Sequence, residues 1–378
     1  MAYRRDMPED MKIEIMLMLP VKSLLRFRCL SKSWCSLFQT PYFKTQHYLK
    51  RTSLSDTNNN HANPSVFLCR PRYYHYVHLS MLDHTLTRKQ DIRLSFPIID
   101  LCYGNGLICF WNYNMMTLWN PATREFKLLQ PPCIPNLKPK KFNRITQIGF
   151  NSKTNDYKVL CIWISFHDKR FSVTQQSSLY SLNADSWKET RFDFSVRRSN
   201  RTFNIVNCVH YCASRTDNCI VAFDMADEVF WKLSMPPFEL SSNYGCDFVG
   251  VLNGNLAVVS SAYVEWINRK GTKISVDIWV MKEYGVQESW TKQFTIGPIS
   301  SHYSSMGLWK KGGLFLCNPL ITLYVYDPDT QKIEKLQVDS LPLIEKIFNY
   351  TESLVSLHGR QEREDERFVR LPTQSGDT

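Results

Sequence analysis

From Val66 almost to its end, the chain repeats one small pattern, and that pattern limits its fold more than any other feature. One copy reads GLICFW at 106–111, MTLWNPATR at 116–124 and FKLL at 126–129. A second reads GLFLC at 313–317, LYVYDPDT at 323–330 and IEKL at 333–336. Each is strand, turn, strand, Asn/Asp-Pro turn, strand. The turns have a physical basis: proline presets φ, and the Asn or Asp side chain accepts hydrogen bonds from the backbone just ahead of it. Weaker copies carry Tyr180, Phe223 and Trp279 where the two clear ones carry Trp119 and Tyr326. These aromatics recur every roughly 40 to 60 residues, close to the length of one propeller blade. Residues 76–94 read as the middle of an earlier, degenerate copy. A single copy is a small antiparallel sheet with apolar faces that it cannot hide, so copies must stack. Radial stacking gives a β-propeller of about six blades, the preferred reading; linear stacking into an irregular sandwich is the alternative.

The first 50 residues follow a different period. Met11, Ile15, Met18 and Leu19 fall at i, i+4, i+7 and i+8, the apolar stripe of a helix. Pro8 can open that helix, Glu9 and Asp10 suit its first turn, and Pro20 stops it. A second short helix runs through Leu24, Leu25, Phe27 and Leu30. Ser31 is a candidate N-cap for a third, with Trp34, Leu37 and Phe38 inward, and Pro41 closes it. Three such helices bury too little surface to stand alone. They also carry more apolar side chains than their own core can hide; Leu24 and Leu25 are adjacent and cannot both point inward. Part of this surface is therefore expected to dock, either on a partner or, as a helical cap, on the rest of the chain. The expected division is a helical unit at 1–50, a polar, Asn-rich linker at 51–65, a strand-rich domain at 66–358 and a flexible charged tail at 359–378.

The wording of the helical unit narrows the choice. MPED at 7–10, LPVKSLLRFR at 19–28 and SKSW at 31–34 resemble the F-box of plant F-box proteins, with Met7 where Leu is usual. SLYSLNADSWK at 178–188, FDMAD at 223–227, YGVQESWTK at 284–292 and YTESLVSL at 350–357 resemble the F-box-associated domain of S-locus F-box and S-locus-F-box-like proteins. The resemblance implies a multidomain α plus all-β chain: a small three-helix F-box, then a kelch-like β-propeller. It implies docking on a Skp-type adaptor, and through it on cullin and RING subunits, by Pro8, Ile15, Leu19, Pro20, Val21, Leu24 and Leu25. Phe27, Trp34 and Leu37 would build the F-box core, so Trp34→Ala would cost about 3–5 kcal/mol. The propeller would hold a target protein for ubiquitination. In the family's best-known branch, in pollen, that target is a non-self S-ribonuclease. Such ribonucleases are generally basic, so a basic receptor would need a local acidic patch to bind one. Residues 133–147 and 196–202 are candidate specificity segments.

Composition and motifs exclude several other classes. Lys and Arg number 46 against 35 Asp and Glu, a net charge of +11. The basic residues are scattered and no recognition motif accompanies them, so nucleic acid is not an expected partner. No run approaches the length of a membrane span, and the opening MAYRRDMPED lacks the apolar centre of a secretory signal. The expected location is the cytosol, or also the nucleus. The 12 cysteines sit mostly in apolar runs, as small hydrophobes rather than disulfides. Cys208, His210, Cys212 and Cys219 form the densest ligand-like group, but their spacing matches no standard zinc motif. Gly104-Asn105-Gly106 is a turn, not a phosphate loop, and neither G-x-S-x-G nor H-E-x-x-H occurs. The acids at Glu362, Glu364, Asp365 and Glu366 read as a solvated run. No cofactor, metal or catalytic residue is expected. The rival class, a propeller enzyme with a helical cap, would need converging His, Tyr or carboxylate groups, and the sequence offers no fixed set.

Overall fold

Proline sets the boundaries of the helical unit in the computed structural model. Pro8 and Pro20 stand immediately before α1 (Glu9–Met18) and α2 (Val21–Phe27). Ser31 occupies the N-cap place of α3 (Lys32–Gln39), but its hydroxyl pairs with Ser33 Oγ at 2.7 Å instead of capping a backbone N–H. Pro41, expected to close the third helix, is the first residue of a fourth, α4 (Pro41–Asp56). The position suits it, because its missing N–H would have no partner in a first turn. Thr40 caps this helix: its Oγ1 accepts from the N–H of Phe43 at 3.2 Å. The helical unit thus has four helices, and its last one takes residues 51–56 from the expected linker.

The structure describes residues 7–371 apart from 57–64, 73–75, 84, 95–97, 99, 112–114, 131, 133–141, 168–171, 192–203, 207–208, 215–218, 238–243, 268–270, 310–311, 319, 321, 338–343, 345, 359 and 362–367. Among the described residues the strands form six antiparallel sheets. The first is built on β1 (Ser65–Arg72), β2 (Tyr76–Leu82) and β3 (Arg88–Leu94). The second holds β4 (Asp100–Gly104), β5 (Leu107–Trp111), β6 (Met116–Asn120) and β7 (Glu125–Leu129). The third holds β8 (Phe142–Asn151), β9 (Asp156–His167), β10 (Ser172–Ser181) and β11 (Ser186–Thr190). The fourth holds β12 (Asn204–Val206), β13 (Val209–Ser214), β14 (Cys219–Asp224) and β15 (Phe230–Ser234). The fifth holds β16 (Tyr244–Leu252), β17 (Asn255–Ile267), β18 (Gly271–Met281) and β19 (Trp290–Ser300). The sixth holds β20 (Ser304–Leu308), β21 (Leu314–Cys317), β22 (Leu323–Asp327) and β23 (Lys332–Lys335). The aromatics Trp119, Tyr180, Phe223, Trp279 and Tyr326 all fall on the third strand of their sheets. The degenerate copy at 76–94 is β2 and β3.

Three strands from the end of the chain return to its beginning. β24 (Lys346–Tyr350) pairs with β1 and completes the first sheet from the inside. β25 (Arg360–Gln361) adds to β7, and β26 (Phe368–Leu371) adds to β3, at the outer edges of the second and first sheets. The expected flexible tail is therefore corrected for these residues: they are paired edge strands. A paired edge no longer offers an open row of N–H and C=O groups.

Side chains show that the stacking is radial. Each sheet is apolar on both faces, and a buried cluster fills the space between every neighbouring pair. Phe67 and Cys69 of the first sheet meet Ile108 and Phe110 of the second. Their neighbours Val66 and Leu68 point the other way, to Phe315 and Leu323 of the sixth. Similar clusters join second to third, third to fourth, fourth to fifth and fifth to sixth sheets. The set closes on itself, so this is a six-bladed propeller and not a linear stack. Because alternate residues serve two different cores, strands such as β5 are buried at every position.

The turns use the chemistry expected of them. Oδ1 of Asn120, Asn151 and Asp327 accepts a hydrogen bond from the backbone N–H two residues ahead, at 2.9–3.0 Å. Arg124, Asn155 and Gln331 then take left-handed backbone, with φ of 61°, 50° and 55°. These tight turns lie on the face of the propeller that carries the helices. The strand ends at Leu129 and Thr190, from which the longer inter-strand stretches of the sequence leave, lie on the opposite face. Of the expected specificity segment 133–147, residues 142–147 belong to β8, the inner strand of the third blade, where Ile145, Thr146 and Gln147 are buried. Residues 133–141 and 196–202 lie outside the described residues.

Candidate functional site

The helical unit has a core of its own, made by Met16, Leu17, Val21, Leu24, Phe38 and Phe43. Val21 and Leu24 are 0% exposed. This corrects their expected role in adaptor docking, since side chains so enclosed offer a partner no surface. It also resolves the adjacent leucines: Leu24 points in, and Leu25 is half-buried at the edge. Leu19 is half-buried too, while Pro8, Ile15 and Pro20 are exposed. Phe27, Trp34 and Leu37, expected as the centre of the core, pack against its rim and are only half-buried. Trp34 rests on Phe27 with ring centroids 5.8 Å apart.

Besides the scattered Leu30, Tyr42 and Leu49, the apolar side chains left exposed form a stripe. Met11 and Ile15 lie one turn apart along one edge of α1, with Met7 four residues earlier just before the helix, and the three are 55%, 48% and 45% exposed. The periodicity puts Met11, Ile15, Met18 and Leu19 on one apolar stripe; in the structure Met11 and Ile15 are exposed and Met18 and Leu19 are half-buried. The edge is firm because α4 holds the end of α1. His47 Nε2 lies 2.8 Å from the carbonyl oxygen of Leu19, and Arg51 donates to that of Met18 at 3.3 Å. Burial pulls the His47 pKa down to about 4, and the Arg51 charge pushes the same way. Neutral His47 therefore donates its Nε2–H and anchors the Leu19-Pro20 corner.

The opposite side of the helical unit sits on the propeller. Its seat is residues 351–357, which leave β24 and run beneath α2. Glu352 Oε2 accepts from the N–H of Val21 at 2.9 Å. Leu354 enters the helical core beside Val21 and Leu24. Val355 and Leu357 point the other way, into the core between the second and third blades. Asn120 Nδ2 donates to the carbonyl oxygens of Ser353 and Val355, at 3.0 and 2.8 Å. Glu125 Oε2 accepts from Ser356 Oγ and from the N–H of Leu357 at 2.8 and 2.7 Å. The segment runs so close to the turn at 105–106 that a Cβ on Gly106 would lie 2.4 Å from that of Ser353. α4 adds Tyr48, whose hydroxyl hydrogen-bonds to Tyr103, and burial beside Tyr103 and Tyr157 holds that hydroxyl's pKa well above its ordinary value. Burial lowers the Lys44 pKa, and the Glu125 carboxylate opposes the shift. The sequence marks 350–357 as a phrase and Asn120 as a turn residue, but not that the two meet. The available signal was Glu352, a lone charge in an otherwise neutral eight-residue run.

Other candidate chemistry does not converge. Cys208 lies outside the described residues, His210 and Cys212 fall on β13, and Cys219 is buried on β14 opposite Ser214. Among the described residues, no three His, Cys, Asp or Glu are placed to hold a metal ion. Burial pushes the Cys161 thiol up to about 12 and that of Cys109 well above its ordinary value, which makes both poor nucleophiles. No described helix is long and apolar enough to cross a membrane.

Comparison with known proteins agrees with this layout. The family model described as an F-box associated beta propeller domain matches residues 53–358, and that of the F-box domain matches residues 5–46. Similar proteins include an F-box/kelch-repeat protein of Arabidopsis thaliana, 28% identical over 82% of this chain and 84% of its own length. F-box protein CPR1 of Arabidopsis thaliana is 27% identical, with 76% of this chain and 72% of that protein covered. Among solved structures, AztD from Citrobacter koseri aligns at 7% identity and a TM-score of 0.41, covering 77% of this chain and 99% of the other.

Proposed function

The chain belongs to the F-box proteins that carry an F-box-associated β-propeller, and on that footing we propose that it is the substrate-receptor subunit of a Skp–cullin–F-box ubiquitin ligase. The observation that carries the proposal is the exposed stripe on α1. The helical unit already has a closed core and a seat on the propeller, so Met7, Met11 and Ile15 serve neither. An apolar edge left over in this way is the mark of a surface that a partner covers. With Pro8, Pro20 and the outer parts of Leu19 and Leu25, it forms the docking face for the Skp-type adaptor, which connects it to cullin and RING subunits. The propeller holds a target protein on its long-loop face. The chain needs no catalytic group for this role. Tethering raises the effective concentration of target lysines around the ubiquitin thioester, which is where the rate gain arises. The setting is the cytosol or nucleus.

The test is co-purification of the full chain with a plant Skp-type adaptor. A Met11→Asp, Ile15→Asp double variant should lose the complex while its thermal transition stays within a few degrees of wild type, because both positions are exposed. A variant that keeps the complex would overturn the docking face. Leu24→Asp is unsuitable here, since a charge at that buried site unfolds the unit. The narrower target, an S-ribonuclease, is supported by the S-locus-F-box-like phrases at 178–188 and 284–292. Capture of S-ribonucleases by the adaptor-bound chain would sustain that assignment, and failure across a panel of them would reject it.

A further inference from the structure

We infer that residues 351–357 act as a lock that sets the angle between the helical unit and the propeller, with Glu352 as its positioning residue. The inference rests on the ligase reading for its consequence, but its geometry stands independently. Beyond the covalent link, the halves of the molecule meet at α4, where Tyr48 hydrogen-bonds to Tyr103, and at the seat, built by a segment from far along the chain.

The seat is gripped from both sides. Above it, Leu354 is part of the helical core and Glu352 binds the N–H that opens α2. Below it, Asn120 and Glu125 hold Ser353, Val355, Ser356 and Leu357 by backbone and hydroxyl groups, and Val355 and Leu357 are buried between blades. From Glu352 to Val355, consecutive residues therefore belong alternately to the two domains, as in a strand with two buried faces, and Ser356 and Leu357 stay with the propeller. A rotation of one domain about the other would have to pull Leu354 from one core or Val355 and Leu357 from another. Glu352 sets where α2 starts, because its carboxylate fixes one backbone amide of a helix with only seven residues. It touches neither the α1 stripe nor the long-loop face. In a receptor, this angle decides which lysines of a bound target come near the thioester, so the lock selects ubiquitination sites without touching adaptor or target.

The experiment measures backbone hydrogen exchange in peptides covering Val21–Phe27 in the full-length chain, for wild type, Glu352→Ala and Glu352→Gln. Glu352→Ala should raise exchange there by about tenfold or more, the effect of losing a charge-assisted hydrogen bond. Peptides of β5 and β6 should be unchanged. Glu352→Gln keeps an acceptor oxygen and should restore most of the protection. In a reconstituted ligase, Glu352→Ala should bind adaptor and target with affinities within about twofold of wild type while the pattern of modified lysines broadens. Exchange unaltered in Glu352→Ala would overturn the lock, as would an unchanged lysine pattern despite raised exchange. Exchange needs no adaptor, so raised exchange in Glu352→Ala together with a wild-type chain that binds no adaptor would overturn the ligase reading alone.

Discussion

His47 shows how much a single side chain of the helical unit decides. It is fully buried, donates to Leu19, and has its pKa pulled from 6.5 to about 4. The unfolded chain takes up a proton below the ordinary value, and the folded chain does not until near the depressed one. Stability contributed by this group is therefore complete above the ordinary histidine range and is lost as pH falls through it. Between about pH 7 and about pH 5 the loss should be about 2 kcal/mol. Urea denaturation at the two pH values checks this by comparing wild type with His47→Gln. The variant can still donate to Leu19 but has no proton to gain, so its pH dependence should be smaller by that amount. Asn120 makes the complementary point. Its Oδ1 shapes a turn that was legible from the sequence, whereas its Nδ2 holds the seat. The second role depends on a residue more than 200 positions away, which no local pattern reports.

At the scale of the element, Trp34 is less central than its size suggests. It is half-buried on Phe27 at the rim of the core, so Trp34→Ala should cost about 2 kcal/mol, not the larger figure of a fully buried tryptophan. The midpoint of chemical unfolding of the helical unit measures this, and a loss above about 4 kcal/mol would mean that the ring is more enclosed than its contacts show. What was legible in the sequence follows one rule: local chemistry could be read, and its direction often could not. The Asn/Asp-Pro turns, the strand triplets, the opening of α1 after Pro8 and its stop before Pro20 are readable because backbone preference alone determines them. Pro41 does stand just past the end of α3, as expected, but it also begins α4, which local pattern does not show because a proline can follow one helix and begin the next. Val21 and Leu24 were misassigned because an apolar residue in a short helix carries no sign of whether its cover is the same chain or another. The tail was misread because its charges hide two short runs whose backbone completes blade edges, and pairing of that kind is set by topology more than by side-chain character.

At the scale of the whole molecule, the chain is closed by its own end. β24 supplies the inner strand of the first blade, and residues 351–357 seat the helices. A chain terminated after Lys335 would retain five complete blades and every residue of the helical unit. It would lack both the ring closure and the seat. Such a truncation should lose the single cooperative unfolding transition and aggregate, because the apolar faces of the first and sixth blades around Val66, Leu68 and Phe315 lose part of their cover. Size-exclusion chromatography with thermal melting checks this; a monodisperse, cooperatively melting truncation would show that β24 is dispensable.

The position of the seat also bears on how the protein is made. A ribosome delivers the helical unit first and the segment that seats it much later. Until residues 351–357 emerge, the α1 stripe is present while the seat is not. A message cut short before Thr351 would therefore yield a chain that carries the stripe on helices that lack their seat.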